Sequence, residues 1–252
     1  MQSFPIYTDS QVSWRLFASD NSCTSWCDVY SPICISAVLA EVRKIFVNTF
    51  GPETVNAHPL LSVLYSDEGP VCFRKQCLIF LSSQGDDYNR HIYQFAHELC
   101  HFMVSGDTRP EYQWLNETLC VMMSWYTMRC IHQKRETSPC CILKPSYSGM
   151  ERYISDDMAD RDNLLDGATV PEYIRKNLEY LHKNSNDYRK CRTIAYEIYP
   201  VFCNYPELWK IVPFLDQLTS DMTLNLALDA LTKSASLPPV VGNLLHQRLL
   251  CE

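Results

Sequence analysis

Long apolar runs are missing from this chain of 252 residues. No stretch reaches the roughly 18 uncharged apolar residues of a membrane-spanning helix, so no span is expected. Positive charge is also scarce: 22 Lys and Arg against 29 Asp and Glu leave a net charge of −7. That balance argues against binding nucleic acid through its phosphates, and Lys134-Arg135 is too short a basic cluster to offset it. The N-terminal run MQSFPIYTDSQVSW lacks a charged n-region and an apolar core, so no secretory signal peptide is expected. Cys-x2-Cys pairs are missing too. Cys23-x3-Cys27 and Cys72-x4-Cys77 have the wrong spacing for a structural zinc ribbon, and no matching second half follows. There is no internal repeat and no low-complexity segment.

Cysteine itself is abundant, at 13 residues. An odd number cannot all pair, and without a signal peptide the expectation is free thiols in a reducing, cytoplasmic compartment. Delivery out of the cell by a dedicated secretion machinery is compatible with the same residues. Hydrophobic content of 46% and charged content of 20% are those of an ordinary globular protein. The length suffices for a sizeable core in one domain or two lobes.

The most informative residues are His97-Glu98-Leu99-Cys100-His101, an H-E-x-x-H pattern. A helix turns once in about 3.6 residues, so positions four apart share a face, and His97 and His101 can point at one metal ion. Glu98 lies one residue round the helix, where a carboxylate can take a proton from a zinc-activated water. The surrounding run NRHIYQFAHELCHFMV, from Asn89 to Val104, is helical in pattern. Ile92, Phe95, Ala96, Leu99, Phe102 and Met103 recur at three- and four-residue steps. Asp86 and Asp87 supply an N-cap, and Ser105-Gly106-Asp107 with Pro110 supplies the stop. Burying two imidazoles and a carboxylate together on an apolar helix is costly unless something pairs them, and a metal does that.

A catalytic zinc takes three protein ligands and keeps one position open. The next segment, from Glu111 to Arg129, has Trp114, Leu115, Leu119, Met122, Met123 and Tyr126 at helical spacing, with Pro110 suited to its start. This second amphipathic helix contains Trp114-Leu115-Asn116-Glu117, and packed antiparallel to the first it can bring Glu117 opposite the histidines. Together, H-E-L-C-H and W-L-N-E resemble the gluzincin branch of the zincin metallopeptidases, the tetrapeptide being especially similar to that of the M1 aminopeptidases. The resemblance covers roughly Asn89 to Tyr126. It implies zinc held by His97, His101 and Glu117, Glu98 as general base, and Asn116 orienting the ligand set. Residues 102–116 form a shorter connection than the M1 pattern has, and no G-x-M-E-N precedes the first helix. A competing third ligand is Asp107, six residues after His101 as in metzincin-like chains, although Val104 stands where that pattern has glycine.

Gluzincins steady the tetrahedral oxyanion with a Tyr or His from a downstream helical lobe. Tyr196, in the helix-like run CRTIAYEIYPVF with Arg192 one turn before it, is the first choice, with Tyr199, His132, His182 and His246 as alternatives. Cys100 and Cys120 lie near the site and are read as packing residues, a redox or inhibitory role being secondary.

The first 30 residues read as irregular. Pro32 to Phe50 reads as a helix ended by Gly51-Pro52, through Ile35, Val38, Leu39, Val42 and Ile45. Leu60–Tyr65 and Cys77–Ser82 read as strands. By the resemblance, Cys77–Leu81 takes the place of the zincin strand whose edge aligns a peptide by strand addition. Thr137 to Thr169 is polar and reads as loops. From Pro171 onward the pattern is helical: PEYIRKNLEYLHK, YRKCRTIAYEIYPVF, PELWKIVPFLDQL, TLNLALDALTK and a last helix from Val240 to Leu250.

The expected fold class is α+β and zincin-like. An α/β lobe, residues 1–105, ends in the metal helix, and a helical lobe, residues 106–252, carries the third ligand. The expected function is zinc-dependent hydrolysis of peptide bonds in a peptide or protein substrate. Two alternatives stand beside it: a catalytically inactive zincin-fold module that binds peptide or protein, and an all-helical interaction protein with a chance motif and no metal.

Overall fold

The structure, a computed structural model, describes residues 3–9, 14–19, 31–56, 61–137, 140–164 and 168–250. It is of the α+β class: mostly helical, with one five-stranded mixed sheet. The strands are β1 (Ser3–Asp9), β2 (Trp14–Ser19), β3 (Leu61–Tyr65), β4 (Val71–Phe73) and β5 (Leu78–Leu81). Their order across the sheet is β1-β2-β3-β5-β4. The inner strands β2, β3 and β5 are parallel, and β1 and β4 flank them antiparallel.

The contacts divide the chain into two compact units. Unit one comprises Met1–Phe102 and Met123–Ser155; unit two comprises Met103–Met122 and Asp156–Glu252. The dividing line crosses two helices, α3 (Tyr88–Met103) and α4 (Gln113–Gln133), so each runs through both units.

Unit one is built on the sheet and on α1 (Ser31–Phe50). The periodic positions of α1, Ile35, Val38, Leu39, Val42 and Ile45, are all buried, joined in the core by Val63, Ile79 and Leu81 from the strands. Gly51 ends α1 at φ +86°, a conformation a Cβ would strain, and Pro52 opens the short α2 (Pro52–Asn56). The loop from β5 into α3 is tied to the helix it feeds. The Gln94 carbonyl accepts from the backbone N–H groups of Ser82 (2.9 Å) and Ser83 (3.1 Å), and its Nε2 donates to Ser82 Oγ (2.8 Å). Asp87 caps α3 by accepting from the Arg90 N–H at 3.3 Å, the role expected of it.

Unit two holds α6 (Val170–Lys183), α7 (Tyr188–Asn204), α8 (Leu224–Ser234) and α9 (Pro239–Leu249). Thr169 and Glu172 close a reciprocal capping box at the start of α6, and Asp187 and Thr223 cap α7 and α8. Ser105, just past α3, donates its N–H to the Pro213 carbonyl at 3.0 Å.

Five expectations are corrected. Residues 3–9 and 14–19 are not irregular, because β1 and β2 pair there, with β2 beside β3 from a distant part of the chain; the rest of the first 30 residues lies outside the described residues. The strand before α3, β5, is not at an edge: β4 covers its outer side, so the edge on that side is Val71–Phe73. Thr137 to Thr169 is not all loop, since it contains a one-turn 3-10 segment and α5 (Tyr147–Ala159). Pro206–Gln217 forms 3-10 turns rather than an α-helix, with Pro213 inside it unable to donate to an α-helical ladder. The second site helix is not amphipathic: α4 is buried on all sides from Trp114 to Trp125.

Candidate metal centre

The apolar face of α3 is buried as its spacing predicts, with Ile92, Phe95, Ala96, Leu99, Phe102 and Met103 in the core. His97 and His101, one turn apart, present their rings together, with centroids 5.0 Å apart and planes at 74°. His97 is buried and His101 half-buried. Glu98 is only 3% exposed although it carries a carboxylate. It faces the sheet side of unit one: burial, and then the charge of Glu98, holds the Cys72 thiol on β4 well above its ordinary range.

The approach of α4 to α3 is fixed by Ser124, whose Oγ donates to the Tyr93 carbonyl at 2.9 Å. One turn back along α4 from Ser124 is Cys120, and one turn on along α3 from Tyr93 is His97. The donor atoms of His97, His101 and Cys120 lie within 4.8 Å of one another. α4 therefore runs back along α3, in the antiparallel sense expected.

Glu117 is 4% exposed, and its Oε1 accepts from Gln113 Nε2 at 3.0 Å. Its charge, after burial, helps push the Cys191 thiol on α7 up to about 12. Asn116 is buried between two partners: its Nδ2 donates to Thr108 Oγ1 at 3.1 Å, and its Oδ1 accepts from Cys120 Sγ at 3.5 Å. The donor set that converges is thus two imidazoles and a thiol, with a buried carboxylate one turn before the thiol on the same helix. This chemistry fits a borderline-soft cation such as zinc and fits poorly a hard cation that demands oxygen. Glu98 and Glu117, on the same two helices, are both buried carboxylates, which are costly to bury unless something pairs them.

The remaining sequence candidates are spread over the molecule. Asp107 is exposed in the turn after α3. Tyr196 stands on α7, 38% exposed, with the Arg161 guanidinium 3.6 Å above its ring centroid. Tyr199 is buried on the same helix. His132 Nδ1 lies 2.9 Å from Glu151 Oε1, and His246 lies between Asn225 (3.1 Å) and Asp229 (3.3 Å). Cys100 is fully buried, a packing residue as expected. Cys34, Cys72, Cys77 and Cys191 carry free thiols. Among the described residues, no helix is long and apolar enough to cross a membrane.

Two further groups that support the site carry only a weak signal in the sequence. His91 is buried one and a half turns before His97, with Nδ1 2.6 Å from Ser83 Oγ and Nε2 3.2 Å from the Gly85 carbonyl. A carbonyl can only accept, so Nε2 carries the proton and Nδ1 accepts from the Ser83 hydroxyl. With Gln94, this pins the loop from β5 beneath the first turns of α3. A histidine and a glutamine interrupting an otherwise apolar helix at a three-residue step was the only clue.

No protein-family model, curated protein or solved structure matches this chain.

Proposed function

We propose that this chain is a zinc-dependent metallopeptidase of gluzincin type, a hydrolase acting on peptide bonds. The reading is carried by one observation: His97 and His101 bring their donor nitrogens within 4.8 Å of a donor on a second helix, with Glu98 buried between them in the α3 sequence and Glu117 buried one turn from that donor. A zinc ion supplies there a Lewis acid that activates water and polarises the scissile carbonyl. His97 and His101 hold the ion through ring nitrogens, and Glu117 adds a carboxylate from α4. Asn116, anchored on Thr108, steadies the helix turn that presents Glu117. Glu98 accepts the proton of the attacking water at its carboxylate and passes it to the leaving amine. Its burial keeps bulk water from competing for that proton. Tyr196 is the donor proposed for the developing oxyanion.

The test is Glu98→Gln, which keeps shape and metal ligands but removes the base. Zinc content should stay at the wild-type level while hydrolysis of a peptide library falls roughly 10²–10⁴-fold. Equal hydrolysis by the variant would overturn the proposal.

A second reading has one observation in its favour. If Cys120 and Glu117 both join the histidines, four protein ligands close the site and leave no open position. The chain is then a catalytically inactive module of the same fold that binds peptide or protein, and wild type hydrolyses none of the library.

A further inference from the structure

We propose that Cys120 is a metal ligand, so that this site holds its ion through a histidine-histidine-thiolate set. The inference rests on the metal-site reading above and changes its ligand list. Three observations carry it. The Cys120 sulfur lies within 4.8 Å of the donor nitrogens of both His97 and His101, close enough for one ion to touch all three after small side-chain rotations. Cys120 is fully buried on a face of α4 that also carries Glu117 and Ser124, a stripe of heteroatoms along a helix otherwise lined by Leu119, Val121, Met122 and Met123. The backbone is already in register for the contact, because Ser124 fastens α4 to α3 one turn away.

The chemistry is specific. On binding, the Cys120 S–H bond breaks, its proton leaves to solvent, and the sulfur lone pair forms the bond to the metal. The Sγ–H to Asn116 Oδ1 hydrogen bond is lost in that step, which leaves Asn116 held by Thr108 alone. A thiolate is a soft donor, so the set selects zinc or cobalt over magnesium or calcium. Two fixed imidazoles and one fixed thiolate leave Glu117 as the ligand that can exchange with a substrate oxygen or a water. That assigns Glu117 the variable position and Cys120 the permanent one, the reverse of what the W-L-N-E resemblance implies.

The test uses the full chain loaded with Co²⁺, whose thiolate bond gives an intense near-ultraviolet charge-transfer band that imidazole and carboxylate ligands do not give. The band is expected in wild type at one cobalt per chain. It should vanish in Cys120→Ser, with metal affinity lower by at least about tenfold, and persist in Glu117→Ala. The wild-type spectrum alone decides the point if Cys120→Ser fails to fold. Stoichiometric cobalt without the band overturns Cys120 as a ligand and leaves the metallopeptidase reading standing. No cobalt bound by wild type overturns both.

Discussion

Ser83 and His91 share a 2.6 Å hydrogen bond under the loop that leads into α3, and neither side chain touches solvent. The pair holds only while the imidazole is neutral, because Nδ1 must accept from the serine hydroxyl. Burial lowers the His91 pKa to about 4, against 6.5 for an unperturbed histidine. The sign follows from linkage: the unfolded chain binds this proton more readily, so the stabilisation is complete above about 6.5 and is lost as pH falls toward about 4. Between pH 7.5 and pH 5 this single group should remove about 2 kcal/mol of stability. His91→Gln keeps a hydrogen-bonding side chain but cannot titrate. Urea unfolding of both metal-free proteins at the two pH values measures the difference. Wild type should lose about 2 kcal/mol more than the variant, and parallel losses would show that His91 is not the group responsible.

Gly106 stands where the chain leaves α3, against Asp216 of the Pro206–Gln217 segment. A Cβ at this position would lie 2.6 Å from Asp216 Oδ2, 3.0 Å from its Cβ and 3.2 Å from its Cγ. The backbone cannot simply retreat, since the preceding Ser105 N–H is fastened to the Pro213 carbonyl. Gly106→Ala should therefore cost about 1–3 kcal/mol through overpacking. Adding Asp216→Ala should return part of that loss, because it removes the carboxylate at 2.6 Å and 3.2 Å while the Cβ at 3.0 Å stays. Thermal melts of the single and double variants decide it. A single variant melting with wild type would show that the segment yields freely.

Local features of the site were legible in the sequence. The spacing of His97 and His101, the apolar stripe of α3 and the Asp87 cap all act within one helix, where sequence distance fixes spatial distance. That Cys120 lies near the site was legible, but its donor atom converging on those histidines was not, because that depends on how far α4 slides along α3, and Ser124 meeting Tyr93 helps set it. α5 was legible in principle: Tyr147, Met150, Ile154 and Met158 form a narrow buried stripe at helical steps, submerged among charged neighbours. β1 and β2 carried little signal of their own, since pairing with a remote strand, and not local pattern, makes them a sheet.

Tyr196, the proposed oxyanion donor, tests the catalytic reading outside the proposed metal ligands. A phenol hydroxyl that hydrogen-bonds only to the developing oxyanion stabilises the transition state and not the bound substrate, so its removal lowers kcat and leaves KM alone. The Arg161 guanidinium stacked on its ring at 3.6 Å orients the side chain and keeps a positive charge beside the phenol. Tyr196→Phe keeps the ring and that stacking contact, so the fold should be undisturbed. If Tyr196 is the donor, kcat on a cleaved peptide should fall roughly 10²–10³-fold, the loss typical of one oxyanion donor, with KM unchanged. Arg161→Ala should give a smaller fall, because it leaves the hydroxyl in place and removes only its support. An unchanged kcat in Tyr196→Phe would withdraw the residue from the catalytic set and return the choice to Tyr199 or to a histidine.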